Sequence, residues 1–485
     1  MNWLLAAASG VLLVLCFPRF DVSWLAPLAL APLLVALDRE ARPRRRFLLG
    51  YLAGAIFWAG TCYWIHYPLA VYGRLPLPAA WGAVGLFSGI KALHLGAFAW
   101  LAGAVLAGRW AVLAVPALWT AIERTHGPLG FAWLALGNAG IEMDLPVRLA
   151  PLAGVHGVSF VLAAMGTVLA LVIRRRPLPH LAPAVLLAAL YALPRLPAPS
   201  EGEHTAVLVQ PNISQSADWT DSWTLRQHER MVFLSEHAAR AGRPPFLIVW
   251  PEVPAPVYYD SDARFREMVN GLAQRTGAWL LLNVVPHTPE GSPMNSALLV
   301  SPAGRPAGRY DKMRLVPFGE YVPRPFTFLN KITSEAGDFV PGNQLVVLPA
   351  GERKIGAFVC YEAVFPELVR RFAAAGAELL VNISNDGWYG RTAARLQHLK
   401  IARMRAVENR RWLLRATNDG LTVVVDPAGR LRRQLPAFTQ AAMGVRFAFA
   451  GDRTLYMRYG DWFVALCALG SLAALLATQI PRYRR

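Results

Sequence analysis

The chain has 485 residues, 55% of them hydrophobic and only 16% charged. Soluble domains carry about 25% charged residues, so the composition speaks against an ordinary cytosolic enzyme. The net charge of +18 would elsewhere suggest nucleic acid. Here the basic residues form short runs beside apolar stretches: Arg42, Arg44, Arg45 and Arg46, then Arg174, Arg175 and Arg176, then Arg482, Arg484 and Arg485. Loops at a membrane face have this pattern, so a membrane protein is expected and no nucleic-acid partner.

Crossing the hydrocarbon core takes about 20 apolar residues, with a range of about 17–25. Seven candidate spans precede residue 200, at 2–17, 23–37, 47–71, 80–107, 110–122, 150–173 and 179–193, and an eighth follows at 462–480. The second and fifth are short. The first lacks a basic leader and runs straight into the next apolar stretch, which favours a retained span over a secretory signal. With the 42–46 loop in the cytoplasm, strict alternation puts Arg109, the 174–176 run and the C-terminal arginines on the same side. The expected layout is a multi-span helical membrane domain over residues 1–200 with about seven helices, an outer domain over 204–453, and a last span over 461–481. The outer side is the periplasm in a cell with two membranes.

The middle segment has a different pattern. Short β-like runs at 206–209, 246–249, 279–284, 297–300, 355–359, 379–383, 413–416 and 422–425 alternate with helical stretches rich in Arg, Glu and Ala. Hairpin turns such as Pro302-Ala303-Gly304 join some of them, so a layered α/β fold is expected. Residues 194–200 form a proline-rich linker.

Four cysteines are too few and too scattered for a disulfide framework. Cys16, Cys62 and Cys467 fall within expected spans, where a thiol behaves as a small apolar group. Cys360 stands alone in the outer domain, and a lone thiol in an oxidising compartment points to use. It ends the run Ile355-Gly356-Ala357-Phe358-Val359. A nucleophile on a sharp turn after a strand is exposed to substrate, with the next backbone N–H available as an oxyanion donor. A thiol with its pKa near 8.5 needs a base or a positive charge to attack at neutral pH. Glu252, after Ile248-Val249-Trp250-Pro251, and Lys312, after Tyr310-Asp311, can supply them from two further strand ends.

Taken in order, these segments resemble the carbon–nitrogen hydrolase (nitrilase) superfamily over about residues 205–446. The run Tyr310-Asp311-Lys312-Met313-Arg314-Leu315-Val316-Pro317-Phe318-Gly319-Glu320-Tyr321-Val322-Pro323 is similar to the signature of the apolipoprotein N-acyltransferase family. So are Gln210-Pro211-Asn212-Ile213, Asn382-Ile383-Ser384-Asn385-Asp386-Gly387-Trp388, Gln397-His398 and Ala402-Arg403-Met404-Arg405-Ala406, and the plan of spans matches as well. The resemblance implies a helical membrane domain of about eight transmembrane helices in all, joined to an α/β/β/α nitrilase-like sandwich. It implies Glu252 as general base, Lys312 as oxyanion-stabilising cation and Cys360 as nucleophile, with Glu320, Tyr361 and Glu362 in support and Trp219 at the lipid entrance.

It further implies ping-pong acyl transfer in a bacterial inner membrane, with the catalytic domain facing the periplasm. The donor is a phospholipid of the phosphatidylethanolamine kind, and the acceptor is the N-terminal amine of an S-diacylglyceryl lipoprotein. No metal-ligand spacing or phosphate loop is present, so neither metal nor cofactor is expected, and a monomer is. His398 sits on an arginine-rich helical stretch with no partner motif, which favours a structural role. A membrane-tethered amidase or nitrilase, whose thioester would go to water, remains the alternative. A transporter is disfavoured because Lys91, His94 and Asp144 are few and scattered.

Overall fold

A computed structural model of the protein describes residues 1–127, 131–215, 220–255, 257–322 and 339–479. The described residues between 204 and 447 contain twelve strands: β1 His204–Gln210, β2 Leu247–Val249, β3 Trp279–Val284, β4 Ser296–Val300, β5 Pro306–Asp311, β6 Leu348–Ala350, β7 Arg353–Val359, β8 Leu379–Ser384, β9 Leu413–Thr417, β10 Val423–Val425, β11 Leu431–Gln434 and β12 Ala441–Phe447. They form two six-stranded sheets, in the orders β12-β1-β2-β3-β4-β5 and β11-β10-β9-β8-β7-β6. In each sheet three inner strands are parallel, β1–β2–β3 and β7–β8–β9, and antiparallel strands flank them.

The alternation along each strand decides what it buries. Ala206, Leu208, Leu247, Val249, Leu281, Ala297 and Leu299 point between the sheets. Their neighbours Val207, Val209, Ile248, Leu280, Leu282 and Leu298 point outward, under helices Asp221–Arg240 and Ala263–Thr276. Helices Pro366–Ala374 and Ala394–Asn409 accompany the second sheet, which completes an α/β/β/α sandwich.

The N-terminal region is helical. Among the described residues, three helices are long and apolar enough to cross a membrane: Leu77–Val105, Ala150–Ile173 and Trp462–Gln479. A fourth arises if Pro43–Thr61 and Tyr63–Val71, bent by 54°, count as one span. The remaining expected spans yield shorter elements, and prolines mark the irregularity in two of them. The 23–37 stretch, with Pro27 and Pro32, gives a 3₁₀ turn and the helix Ala31–Arg39. Ala111–Arg124 contains Pro116, and the 179–193 stretch is mostly 3₁₀, Ala182–Ala192, around Pro183. Asn2–Leu15 has 14 residues.

Helix Ala394–Asn409 joins the two regions. Gln397 Oε1 accepts from Trp64 Nε1 (3.1 Å) and Trp133 Nε1 (2.8 Å), while its Nε2 donates to the carbonyls of Pro18 (2.6 Å) and Thr61 (3.0 Å). At the other end, Glu408 Oε1 accepts from Val155 N at 2.8 Å. That amide is free because Gly154 breaks its helix at φ +68°. A Cβ there would fall 2.6 Å from the Tyr456 ring, so glycine is required by space as well as by conformation.

Candidate active site

The three expected site residues follow strands directly: Glu252 shortly after β2, Lys312 after β5 and Cys360 after β7. Cys360 adopts φ +50°, a left-handed conformation that costs a non-glycine residue about 1–2 kcal/mol. Two contacts hold it there. Its carbonyl accepts from His398 Nε2 at 3.1 Å, and the preceding Val359 N donates to Glu362 Oε2 at 2.9 Å.

Lys312 is 1% exposed. Its Nζ lies 2.9 Å from Glu320 Oε1 and 3.7 Å from Glu252 Oε1. Burial opposes its charge, but Glu320 and Glu252 outweigh that and hold it above the ordinary lysine range. Asn295 closes the group: its Nδ2 donates at 2.7 Å to the same oxygen of each carboxylate, and Asn283 Nδ2 donates to its Oδ1 at 2.8 Å. The second oxygens are also bound, Glu252 Oε2 by Asn385 N (3.0 Å) and Glu320 Oε2 by Val316 N (2.8 Å). Both oxygens of each carboxylate are thus hydrogen-bonded within the protein.

Burial, and then the Glu252 charge, push the Cys360 thiol well up, against a downward pull from Lys312 and a hydrogen bond with Ser384. The resting sulfur is therefore a thiol, and its attack needs a proton acceptor. Glu252 is the adjacent carboxylate that has no ion pair closer than 3.7 Å among the described residues.

Glu362 does not face the thiol. Its Oε1 accepts from Tyr310 Oη (2.7 Å), Met313 N (2.8 Å) and Arg314 N (3.1 Å), and with Oε2 on Val359 N it ties the Lys312 segment to the strand that ends at Cys360. Tyr361 is buried, with its ring 6.5 Å from Trp133 and 5.2 Å from Phe365, so its side chain packs toward the N-terminal region. Trp219 lies outside the described residues.

His398 is fully buried. A carbonyl can only accept, so the bond to Cys360 O fixes a proton on Nε2; Nδ1 lies 3.1 Å from Arg415 Nη2 and 3.3 Å from Asp386 Oδ1, and in the neutral ring it accepts from the guanidinium. Burial holds the imidazole below its ordinary pKa, hence neutral. Arg415 also donates to both oxygens of Asp386 (2.8 and 3.0 Å) and to Asn382 Oδ1. His398 is thus a positioning residue, in line with the structural role expected of it. Asn295 and the Asp386–Arg415 pair were not legible as site residues. Asn295 has no local signal, and the 382–388 motif gives no hint that Asn385 reaches Glu252 on the other sheet.

Residues 205–445 match the carbon-nitrogen hydrolase family, and residues 9–168 match the apolipoprotein N-acyltransferase N-terminal domain. The chain is 37% identical to the apolipoprotein N-acyltransferase of Geobacter metallireducens, over 97% of this chain and 94% of that one. It is 35% identical to the Azotobacter vinelandii protein of the same name, over 98% of this chain and 93% of that one. For the Pseudomonas putida protein of that name the identity is 32%, over 99% and 97%. Among solved structures, an amidase of the nitrilase superfamily from Nesterenkonia is 24% identical, with a TM-score of 0.40 over 54% of this chain and 95% of that one. With identity of this order running along almost its entire length, the chain belongs to the apolipoprotein N-acyltransferase family.

Proposed function

We propose that the protein transfers an acyl chain from a phospholipid to the N-terminal amine of an S-diacylglyceryl lipoprotein, through a thioester on Cys360. Glu252 takes the thiol proton as sulfur attacks the donor's ester carbonyl. The oxyanion forms against Lys312 and the amide of Tyr361. The tetrahedral adduct collapses, the C–O bond breaks, and the lysophospholipid leaves with the proton that Glu252 held. The lipoprotein's amine then attacks the thioester and gives its proton to Glu252, and the restored thiol departs as the amide forms. Glu320 keeps Lys312 charged throughout, and Glu362 keeps lysine and cysteine in register.

The observation that carries this reading is the buried thiol beside a lysine paired with two carboxylates, in a sandwich joined by hydrogen bonds to apolar helices. Both substrates are held in the bilayer by acyl chains, at about 0.8 kcal/mol per buried CH₂, so a membrane-resident site meets them without extraction. The proposed layout has eight crossings, with residues 1–200 as membrane domain, 204–453 as catalytic domain and 461–481 as last span. The short apolar segments then complete the count. The side of each basic cluster supports it, with the catalytic domain on the periplasmic face of the inner membrane. The protein acts as a monomer without metal or cofactor.

Intact-mass spectrometry of the detergent-solubilised protein after incubation with phosphatidylethanolamine, with no acceptor present, tests the reading. One added acyl chain, released by hydroxylamine and absent from Cys360→Ala, is expected. An unmodified wild-type protein refutes it and favours a tethered amidase.

A further inference from the structure

Beside the thiol site lies a second polar group that the mechanism above does not use. Arg391 and Arg395 both stack on the ring of Phe438, with their guanidinium carbons 4.1 and 4.0 Å from its centre. Arg391 is exposed, whereas Arg395 is 9% exposed, and its Nε and Nη1 have no hydrogen-bond partner among the described residues. The charged and titratable groups around Arg395 are Asp386, Asp419, Arg391 and Tyr67. Asp386 is already engaged by Arg415, and no ion pair to Arg395 exists among the described residues. Asp419 is close enough to act on Arg395, yet its Oδ1 is also buried without a partner among the described residues.

A buried guanidinium with unfilled donors, next to a second one, is costly unless an anion completes it. A carboxylate oxygen left open beside it calls for a donor as well. The gap therefore suits a ligand with both charges, an anion that takes two arginines and an ammonium that takes Asp419. The start of helix Ala394–Asn409 lies here too, without a side-chain cap at Ala393, and adds positive polarity toward the anion.

The surroundings set the depth. Tyr67 and Tyr72 lie at the end of the bent apolar element. A Cβ at Gly390 would fall 2.3 Å from Tyr67, Tyr72 Oη donates to Gly387 O at 3.1 Å, and Tyr72 packs edge-on to Trp388 at 4.9 Å. Such aromatic bands sit at the headgroup level of a bilayer. The site lies close in the chain to a residue that touches Cys360. One helical turn separates Arg395 from His398, which holds the Cys360 carbonyl. A phospholipid's phosphate and acyl ester are likewise joined only by a short glycerol bridge.

We propose that Arg391, Arg395 and Asp419 form the headgroup site for a zwitterionic phospholipid donor with a primary ammonium. The phosphodiester takes the open Nε–H and Nη1–H of Arg395, with Arg391 on the same Phe438 ring as a second nearby cation, and the ammonium lies on Asp419. This rests on the acyl-donor reading above and assigns residues to its headgroup selection.

The test is the acylation half-reaction of the full-length protein with three donors: phosphatidylethanolamine, phosphatidylglycerol and a headgroup-free p-nitrophenyl ester. Arg395→Gln is expected to lower the ratio of phosphatidylethanolamine to ester acylation at least 10-fold, mainly through KM, and Arg391→Ala several-fold. Asp419→Asn is expected to lower the preference for phosphatidylethanolamine over phosphatidylglycerol at least 5-fold. Ratios within 2-fold of wild type in both arginine variants overturn the site. If Arg395→Gln reacts with no donor, having failed to fold, Arg391→Ala on its exposed side chain decides by the same ratio. A wild-type protein acylated by the ester but by neither phospholipid overturns the acyl-donor reading itself. Wild-type acylation by phosphatidylethanolamine with unmoved variant ratios overturns only the headgroup site.

Discussion

Replacing Glu362 with glutamine removes one charge and turns one acceptor into a donor. In the native protein its two oxygens accept four hydrogen bonds, three on Oε1 and one on Oε2. A glutamine places its oxygen best toward Tyr310, Met313 and Arg314, which leaves its NH₂ facing the N–H of Val359. Two opposed buried donors cost about 1–3 kcal/mol. The three surviving bonds fall from charge-assisted to neutral, at about 1 kcal/mol each. Part of this is recovered, because burial already pushes the Glu362 carboxyl up and a neutral amide escapes that cost. The net expectation for Glu362→Gln is a loss of about 2–4 kcal/mol, or an apparent Tm lowered by roughly 5–10 °C. Acylation should fall with it, because the lysine and cysteine segments lose their common anchor. The pH profile of the residual acylation should keep its shape, because Glu362 does not take the thiol proton. Thermal unfolding in detergent and the mass-spectrometric half-reaction measure both. An unchanged Tm, or an acid limb that moves with this substitution, refutes the reasoning.

The remaining predictions concern the thiol, its carbonyl anchor and the domain joint. Glu252 raises the Cys360 thiol and Lys312 lowers it. Glu252→Gln should therefore let the thiolate form at lower pH while abolishing acyl transfer, and Lys312→Ala should move it to higher pH. Thiolate ultraviolet absorbance referenced to Cys360→Ala reads both shifts, and shifts of reversed sign rule the assignment out. His398→Leu strips the donor from the Cys360 carbonyl and should slow acylation about 10–100-fold at a stability cost of about 1–3 kcal/mol. His398→Gln, which keeps a donor, should recover part of the rate, and equal rates for the two variants would contradict the positioning role. Gly154→Ala adds left-handed strain and a clash with Tyr456, together about 2–4 kcal/mol. The Gly451→Ala control, in open space, should stay within about 0.5 kcal/mol, and a matching Tm for the two would remove the required break at Gly154.

Local pattern was enough to lead to the expectation of a membrane protein and to mark the strand ends proposed to carry the chemistry. Apolar runs and clustered arginines are read over tens of residues. The strand ends carrying Glu252, Lys312 and Cys360 are marked by short β-branched and apolar runs that stop at a turn. The alternation that sends Leu208 between the sheets and Val207 under a helix is likewise local, set by the two-residue period of a strand. Apolar length alone does not give regular helix in every expected span, because Pro27, Pro32 and Pro183 fall where segments whose hydropathy reads as continuous turn to 3₁₀ or begin a shorter helix.

Tertiary structure decided the rest, since it depends on groups far apart in sequence. Asn295 joins Glu252 to Glu320, and Asn385 reaches Glu252 from 133 positions away across the two sheets. Gln397 gathers Pro18, Thr61, Trp64 and Trp133 into one hydrogen-bonded knot, one residue before His398. His398 acquires its tautomer only from the carbonyl and the guanidinium that folding brings to its two nitrogens. A hydrogen bond reads distance and direction, not sequence separation, so none of these partners leaves a periodic trace along the chain.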